Sequence, residues 1–361
     1  MRILHIITSL RSGGAERLVV DLLPRFRAHG HEVELLLFDG TRTPLLESIE
    51  AEGIPASALG TGAFHMHDPL NLPRLKRFLR RRRFDIIHTH NTPCQLLAAL
   101  AFPEDGTVLV TTEHNTFNRR RDWRWFRSMD RWMYGRYAFI ACVGEQTRIN
   151  LLDVLGESFE DKTAVIANGI DFSRFAPARS VRYDKSARDG KHIILMVAAF
   201  RPQKDHSTLL KAMAQLPEEY ELWLAGEGET LAACEKLARS LSLGGRVRFL
   251  GSRADVPELV AQAEVLVLSS HYEGMSLSSI EGMASGRPFI ASDVEGLREV
   301  VGGAGLLVPH EDANALAGSI RRVCEDAALY SSVLEACLSR AAGFDIDATA
   351  RAYEKVYEFV R

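Results

Sequence analysis

Cysteine is scarce: five in 361 residues, at Cys94, Cys142, Cys234, Cys324 and Cys337, with no two at a C-x-x-C spacing. That pattern excludes a disulfide framework and a thiolate zinc site, and it predicts reduced thiols in a cytosolic chain. Long apolar runs are missing too. No stretch reaches the roughly 18 residues that a membrane span requires. The apolar start MRILHIITSL runs into Arg11 and Ser12 without a cleavage pattern, so it is predicted to be a buried first strand and not a signal peptide. Nor is there an excess of charge. With 44 Lys and Arg against 47 Asp and Glu, the net charge of -3 gives no reason to expect a nucleic-acid partner.

What is present is apolar residues, 46% of the chain, in a regular order. Short runs rich in Ile, Leu and Val (RILHIITSL, HEVELLLFD, DIIHTH, TVLVTTEH, FIACVG, TAVIANGI) alternate with helical patterns. Near-continuous apolar strands between helices predict parallel sheets covered on both faces. The alternation lapses over 172–192, which is charged and lacks periodicity, and resumes with HIILMVAAF, YELWLAGEG, VRFLG, AEVLVLSS, PFIASD and AGLLVP. The length suits two domains. The prediction is α/β, with two tandem doubly wound domains over 1–175 and 176–343. Residues 344–361 are expected to form an amphipathic helix packing back on the first domain.

The segment HYEGMSLSSIEGMASGRP, 271–288, follows a predicted strand and carries Glu273 and Glu281. Ser276 and Ser278 are N-cap candidates, with the helix starting within 276–279. A helix start offers unpaired N–H groups and partial positive charge to an anion. Glu273 would lie in the loop before it and Glu281 about one turn inside. Carboxylates accept hydrogen bonds from vicinal hydroxyls, so this order fits a nucleotide-sugar: sugar at Glu273, diphosphate at the helix start, ribose at Glu281. A capped helix with two solvated glutamates is the other reading.

Three further segments sit at predicted strand ends. RPQKD places Arg201 and Lys204 either where cations would neutralise a diphosphate as it leaves or in an ordinary solvated loop, the reading this stretch favours when taken by itself. Gly13 and Gly14 open a helix without the full G-x-G-x-x-G pattern, so they mark either close backbone approach to a ligand or a plain turn. TTEHNT places His114 at a strand end. His88 and His90 form a pair for which the sequence discloses no third metal ligand. DID at 345–347 is read as a helix start. In 119–137, cations (Arg119, Arg120, Arg121, Arg124, Arg127) interleave with Trp123, Trp125, Phe126 and Trp132, and 74–83 is also basic. That composition suits either an anionic membrane surface or a solvated helix face with inward aromatics.

Assembled, these segments resemble the retaining glycosyltransferases of the GT-B fold, the "group 1" family. The E-x7-E segment Glu273–Glu281 with GMASGRP is the most specific match, joined by GGAER, TEHNT, VIANGIDFSRF, RPQKD and LAGEGE. The resemblance implies that Arg201 and Lys204 bind the donor diphosphate and that Glu273 contacts the donor sugar. It gives the backbone of Gly274, Met275, Ser276 and Leu277 the sugar and β-phosphate, and Glu281 the ribose. Gly13 and Gly14 close over the phosphates, His114 borders the reacting sugar, and Ser252 and Arg253 lie near the nucleobase. The first domain takes the acceptor side of the cleft between the domains and the second takes the donor. Met275 stands where phenylalanine is common in the family, and Ser276 also departs from it; both bear on which sugar is taken.

The expected reaction is metal-independent transfer with retention from a UDP- or GDP-linked sugar to a saccharide or lipid-linked acceptor, in bacterial cell-surface polysaccharide or glycolipid synthesis. The expected location is cytoplasmic, at most peripheral to the inner membrane face. An epimerase or hydrolase acting on nucleotide-sugars and a non-catalytic binding module are the alternatives.

Overall fold

The structure, a computed structural model, describes residues 1–11, 13–62, 68–102, 106–115, 123–253 and 255–361, without the side chain of Arg124. The chain forms two units, Met1–Gly169 with Ile346–Arg361, and Ile170–Asp345. The expected boundaries, 175/176 and 343/344, fall a few residues away from these. The reason is local to the second unit: Ile170 N–H donates to Phe344 O at 2.9 Å and Ile170 bridges to Asp345. The charged segment expected as a linker is docked on that unit. Phe175 is fully buried, Arg179 donates to Ala284 O at 3.1 Å, and Arg287 donates to Val181 O at 2.8 Å.

The first unit holds strands β1 (Arg2–Ile7), β2 (Glu32–Asp39), β3 (Ala56–Gly60), β4 (Ile86–His90), β5 (Val108–Glu113), β6 (Phe139–Cys142) and β7 (Thr163–Val165). They form one sheet in the order β3-β2-β1-β4-β5-β6-β7, with every neighbouring pair parallel. All five residues of β4 and all four of β6 are buried, because helices cover both faces of such a sheet. The C-terminal helix Ile346–Val360 belongs to this cover. Its Tyr353 and Tyr357 are fully buried, and their hydroxyls reach Thr112 Oγ1 at 2.8 Å and His88 Nδ1 at 2.6 Å.

The second unit holds β8 (His192–Val197), β9 (Tyr220–Ala225), β10 (Val247–Gly251), β11 (Val265–Leu268), β12 (Phe289–Ser292) and β13 (Leu306–Val308). Their order is β10-β9-β8-β11-β12-β13, again parallel throughout. In each unit the strand order reverses once, between β1 and β4 and between β8 and β11. Loops that leave the carboxyl ends of those neighbours diverge to opposite sides, which opens a crevice suited to ligands.

Candidate functional site

The second unit assembles its site at the β8–β11 reversal. Val265 pairs with Ile194 and Leu266 with Leu195, so the loops after the two strands start side by side. The first loop runs through Arg201 to Asp205, which caps the helix His206–Met213 by accepting from Thr208 N–H at 3.2 Å. Glycine at 228 is needed beside this loop: it sits at φ +154, and a Cβ there would lie 2.3 Å from Phe200 O.

The second loop is stitched to the first. His271 N–H donates to Gln203 O at 2.8 Å, and Gln203 Nε2 donates to Tyr272 O at 2.9 Å. Lys204 Nζ meets Glu273 Oε1 at 2.5 Å, and Ser270 Oγ donates to the same oxygen at 2.5 Å. Glu273 is therefore not a solvated glutamate. It is 7% exposed, its charge balanced by Lys204. Lys204, expected as a phosphate cation, has its ammonium engaged by this carboxylate. Arg201, by contrast, is exposed and has no side-chain partner among the described residues.

The helix Leu277–Ala284 follows. Ser276 occupies the N-cap position as expected, yet neither it nor Ser278 caps the helix. Their hydroxyls lie 3.0 Å from each other, the Ser276 side chain makes no cap bond, and the Ser279 N–H turns to Ser276 O at 3.2 Å. Among the described residues the N–H groups of Leu277 and Ser278 are thus left to a ligand, with the partial positive charge that accompanies them. Glu281, one turn on, accepts from Arg174 at 3.1 Å and lines a cavity with Phe175, Val256, Val260 and Ser278.

Gly296 is a residue that sequence reasoning missed. A Cβ there would lie 2.1 Å from Gly274 O and 2.3 Å from Glu273 O, so only glycine lets the helix Glu295–Val301 lie against this loop. Gly-Leu after a strand and an Asp-Val turn gave no sequence signal of that approach. Ser252 N–H points at Glu227 Oε1 at 3.4 Å, while Arg253 is held by Asp255 through two bonds, at 2.7 and 2.5 Å. Arg253 thus enters any ligand contact already paired.

In the first unit, Gly13 caps the helix Gly14–Ala28 in an extended conformation (φ -178), not in a left-handed turn, and no side chain caps that helix. His114 follows β5 and belongs to a row of imidazoles. His114 Nε2 lies 3.1 Å from His90 Nδ1, and His90 Nε2 lies 3.1 Å from His5 Nδ1. Burial pushes His114 down to about 4 and His5 to about 3, and it holds His90 well below its ordinary value, so all three are neutral near pH 7.

Each neutral ring has one N–H, and the row therefore runs one way or the other. His5 Nε2 is buried without a partner. An orphaned N–H is rarer than an orphaned acceptor, so His5 donates to His90, His90 donates to His114 Nε2, and His114 carries its proton on Nδ1. The sequence treated the H-x-H pair as a metal question. The structure supplies the third imidazole that the sequence did not disclose, His5, but it binds both nitrogens of His88 to hydroxyls, Tyr357 at 2.6 Å and Thr112 at 2.8 Å.

Arg119, Arg120 and Arg121 lie outside the described residues, as does the side chain of Arg124. The helix Arg124–Gly135 buries Met133 and Tyr134 but leaves Trp123, Trp125 and Trp132 exposed, by 64%, 62% and 42%. The reading in which these aromatics pack inward is corrected for the three tryptophans: Trp123 precedes the helix, and Trp125 and Trp132 lie off the face that buries Asp130, Met133 and Tyr134. Among the described residues no helix is long and apolar enough to cross a membrane.

A site of this kind can hold an anion at a helix start, engage hydroxyls on either side of it with carboxylates, and neutralise charge with Arg201. Comparison with known proteins agrees. A family model described as "Glycosyltransferase Family 4" matches residues 12–174, and one described as "Glycosyl transferases group 1" matches 180–336. The phosphatidyl-myo-inositol mannosyltransferase of Mycolicibacterium smegmatis is 25% identical over 96% of this chain and 90% of its own. The MMP alpha-(1->4)-mannosyltransferase of Mycolicibacterium hassiacum is 32% identical over 70% of this chain and 65% of its own. Among solved structures, Anabaena HepE in complex with UDP and glucose superposes with a TM-score of 0.85 at 20% identity, over 99% of both chains. Its likeness establishes the fold, two parallel-sheet Rossmann-like domains in tandem as in GT-B glycosyltransferases. With its two units matched in order by the paired glycosyltransferase models, the chain is a glycosyltransferase of the group 1 family.

Proposed function

We propose that the chain transfers a sugar from a nucleoside diphosphate sugar to a saccharide or lipid-linked acceptor, with retention and without a metal ion in the chemical step, in the synthesis of a bacterial glycolipid or polysaccharide. The observation that carries this reading is the uncapped start of the helix Leu277–Ala284 at the β8–β11 reversal, with Glu273 before it and Glu281 one turn inside. The relatives support the class of donor and product: the HepE structure is a complex with UDP and glucose, and the M. smegmatis relative is named for mannosyl transfer to phosphatidyl-myo-inositol.

In this reading the diphosphate takes the free N–H groups at Ser276–Ser278 and the guanidinium of Arg201. Glu281, held by Arg174, accepts from the ribose hydroxyls, and the cavity it lines takes the base. The role of Lys204 is indirect: it holds the Glu273 carboxylate in place beside the sugar, and it shares its charge with the leaving diphosphate once donor binding draws on that ion pair. The backbone of Gly274, Met275, Ser276 and Leu277 frames the sugar, with Ser252 and Arg253 toward the base. His114 offers Nδ1–H to the reacting sugar, and Gly13 and Gly14 give backbone N–H groups to the phosphates. Departure of the diphosphate leaves one of its oxygens to take the acceptor proton, so no protein base is required on the attacking side.

The exposed Trp123 and Trp125 favour a peripheral contact with anionic lipid, which places the lipid-linked acceptor within reach. Vesicle co-sedimentation should require anionic lipid and weaken with salt. The transfer reading itself is tested by calorimetry with UDP, GDP and their sugars, followed by release of nucleoside diphosphate in the presence of acceptor. Donor turnover that yields an epimer or only free sugar would overturn it.

A further inference from the structure

The second unit carries four metal-ligating side chains that the transfer reading leaves unused. They come from three loops at the carboxyl end of the sheet: Asp205 after β8, His271 after β11, and His310 with Glu311 after β13. His271 Nδ1 lies 2.8 Å from His310 Nε2, 3.5 Å from Glu311 Oε1 and 3.9 Å from Asp205 Oδ2. Around a tetrahedral Zn2+ with bonds of about 2.1 Å, neighbouring donor atoms are separated by roughly 3.4 Å; the first two distances lie on either side of that value, and the ligand atoms of His271, His310 and Glu311 all lie within 4.8 Å of one another.

Asp205 adds an independent observation. Its carboxylate is 2% exposed, and while Oδ1 accepts from Thr208 N–H and Ser207 Oγ, Oδ2 is buried without a partner. A buried, unbonded carboxylate oxygen is costly, and this one lies 3.9 Å from His271 Nδ1. Asp205 and Glu311 both adopt left-handed backbone, at φ +42 and +59, which non-glycine residues seldom do.

We infer that His271, His310 and Glu311, with Asp205 beside His271 as the fourth ligand, form a site for a divalent transition metal, Zn2+ by ligand type: two imidazoles and two carboxylates, open to solvent on the His310 and Glu311 side, suit zinc and not Mg2+ or Ca2+. The ion relieves the orphaned Asp205 oxygen and staples three loops. Two of them carry Arg201, Lys204 and Glu273, so occupancy fixes the geometry on which the donor site depends. This last consequence rests on the transfer reading; metal binding does not.

The chain, stripped with a chelator, is titrated with Zn2+ against a chromophoric competitor. One equivalent should bind, and His271→Gln or His310→Gln should weaken it at least about tenfold, a loss that even outer ligands cause. Co2+ should give the intense visible spectrum of a tetrahedral site in the wild type and lose it in the His271→Gln/His310→Gln variant. Zn2+ should raise the melting temperature of the wild type and leave that of the double variant unchanged, which guards against a variant that merely misfolds. Equal uptake by wild type and double variant would overturn the site, as would uptake lost on His88→Gln or Cys324→Ser instead. If Zn2+ binds while no nucleotide does, the transfer reading falls and the metal site stands.

Discussion

Lys204 and Arg201 lie three residues apart in one loop, and the structure separates them. Arg201 is exposed; Lys204 and Glu273 are 16% and 6% exposed at the side chain and share an ion pair. Replacing Lys204 with Met leaves a buried carboxylate with only the Ser270 hydroxyl and a long contact to Gln203, at 3.4 Å. Breaking a buried pair by removing one partner costs about 3–5 kcal/mol, and the residual exposure of Lys204 puts this pair at or below the lower end, about 2–3 kcal/mol. For a unit of this size each kcal/mol moves the melting temperature by about 2–4 °C, so Lys204→Met should lower the melting temperature of the second unit by roughly 5–10 °C. Arg201→Ala should change stability by no more than about 0.5 kcal/mol while reducing transfer. Lys204→Met/Glu273→Gln should recover most of the lost stability, because it removes both charges. Thermal and urea unfolding of the four proteins decide the matter. Equal stability of Lys204→Met and Arg201→Ala, or a double variant no better than the single one, would refute the pairing as the reason.

Three further outcomes follow from particular contacts. Gly296→Ala drives a methyl into the carbonyls of Glu273 and Gly274, so nucleotide-sugar affinity measured by calorimetry should fall by an order of magnitude or more, about 1.4 kcal/mol or above; unchanged affinity would show that the loop can yield freely. The buried histidines His5, His88, His90 and His114 all have folded values below the unfolded 6.5, so the unfolded chain binds more protons between those values. Stability of the first unit should therefore rise with pH up to about 6.5 and fall on acidification toward pH 5, with a slope of up to roughly 1.4 kcal/mol per pH unit for each buried ring; urea unfolding should show a shallower slope in His88→Gln, and an unchanged slope would count against burial of a neutral ring. His90→Gln keeps a hydrogen bond to His114 but ends the imidazole row, so it should lower kcat with little change in donor KM and shift the acid limb of the pH profile; loss of stability without that shift would reduce His90 to a packing residue.

The sheets were legible because parallel strands buried on both faces read as unbroken apolar runs: β4 and β8 are plain in DIIHTH and HIILMV. The site was legible where chemistry is encoded locally, as in the Glu273–Glu281 spacing and the Ser276 helix start. It was not legible where function depends on distant partners. Nothing near Lys204 in sequence announces Glu273 as its ion-pair partner, and nothing near His90 announces His5, which arrives from a neighbouring strand. Gly296 matters only through a loop more than twenty residues earlier. Segment 172–192 lacks periodicity because its helical pieces, Phe172–Phe175, Ala176–Ser180 and Ser186–Arg188, are too short to show one, and contacts such as Arg287 to Val181 O hold it to the second unit.

The central claim is that one nucleotide-sugar lies across the start of the helix Leu277–Ala284, its ribose at Glu281 and its sugar at Glu273. Calorimetry with the free nucleoside diphosphate on Glu281→Ala and Glu273→Ala tests it most directly, since the ribose remains in that ligand and the sugar does not. The account predicts weaker binding in Glu281→Ala and near wild-type binding in Glu273→Ala, at a temperature where both variants are folded. Equal loss in the two, or loss only in Glu273→Ala, would contradict it.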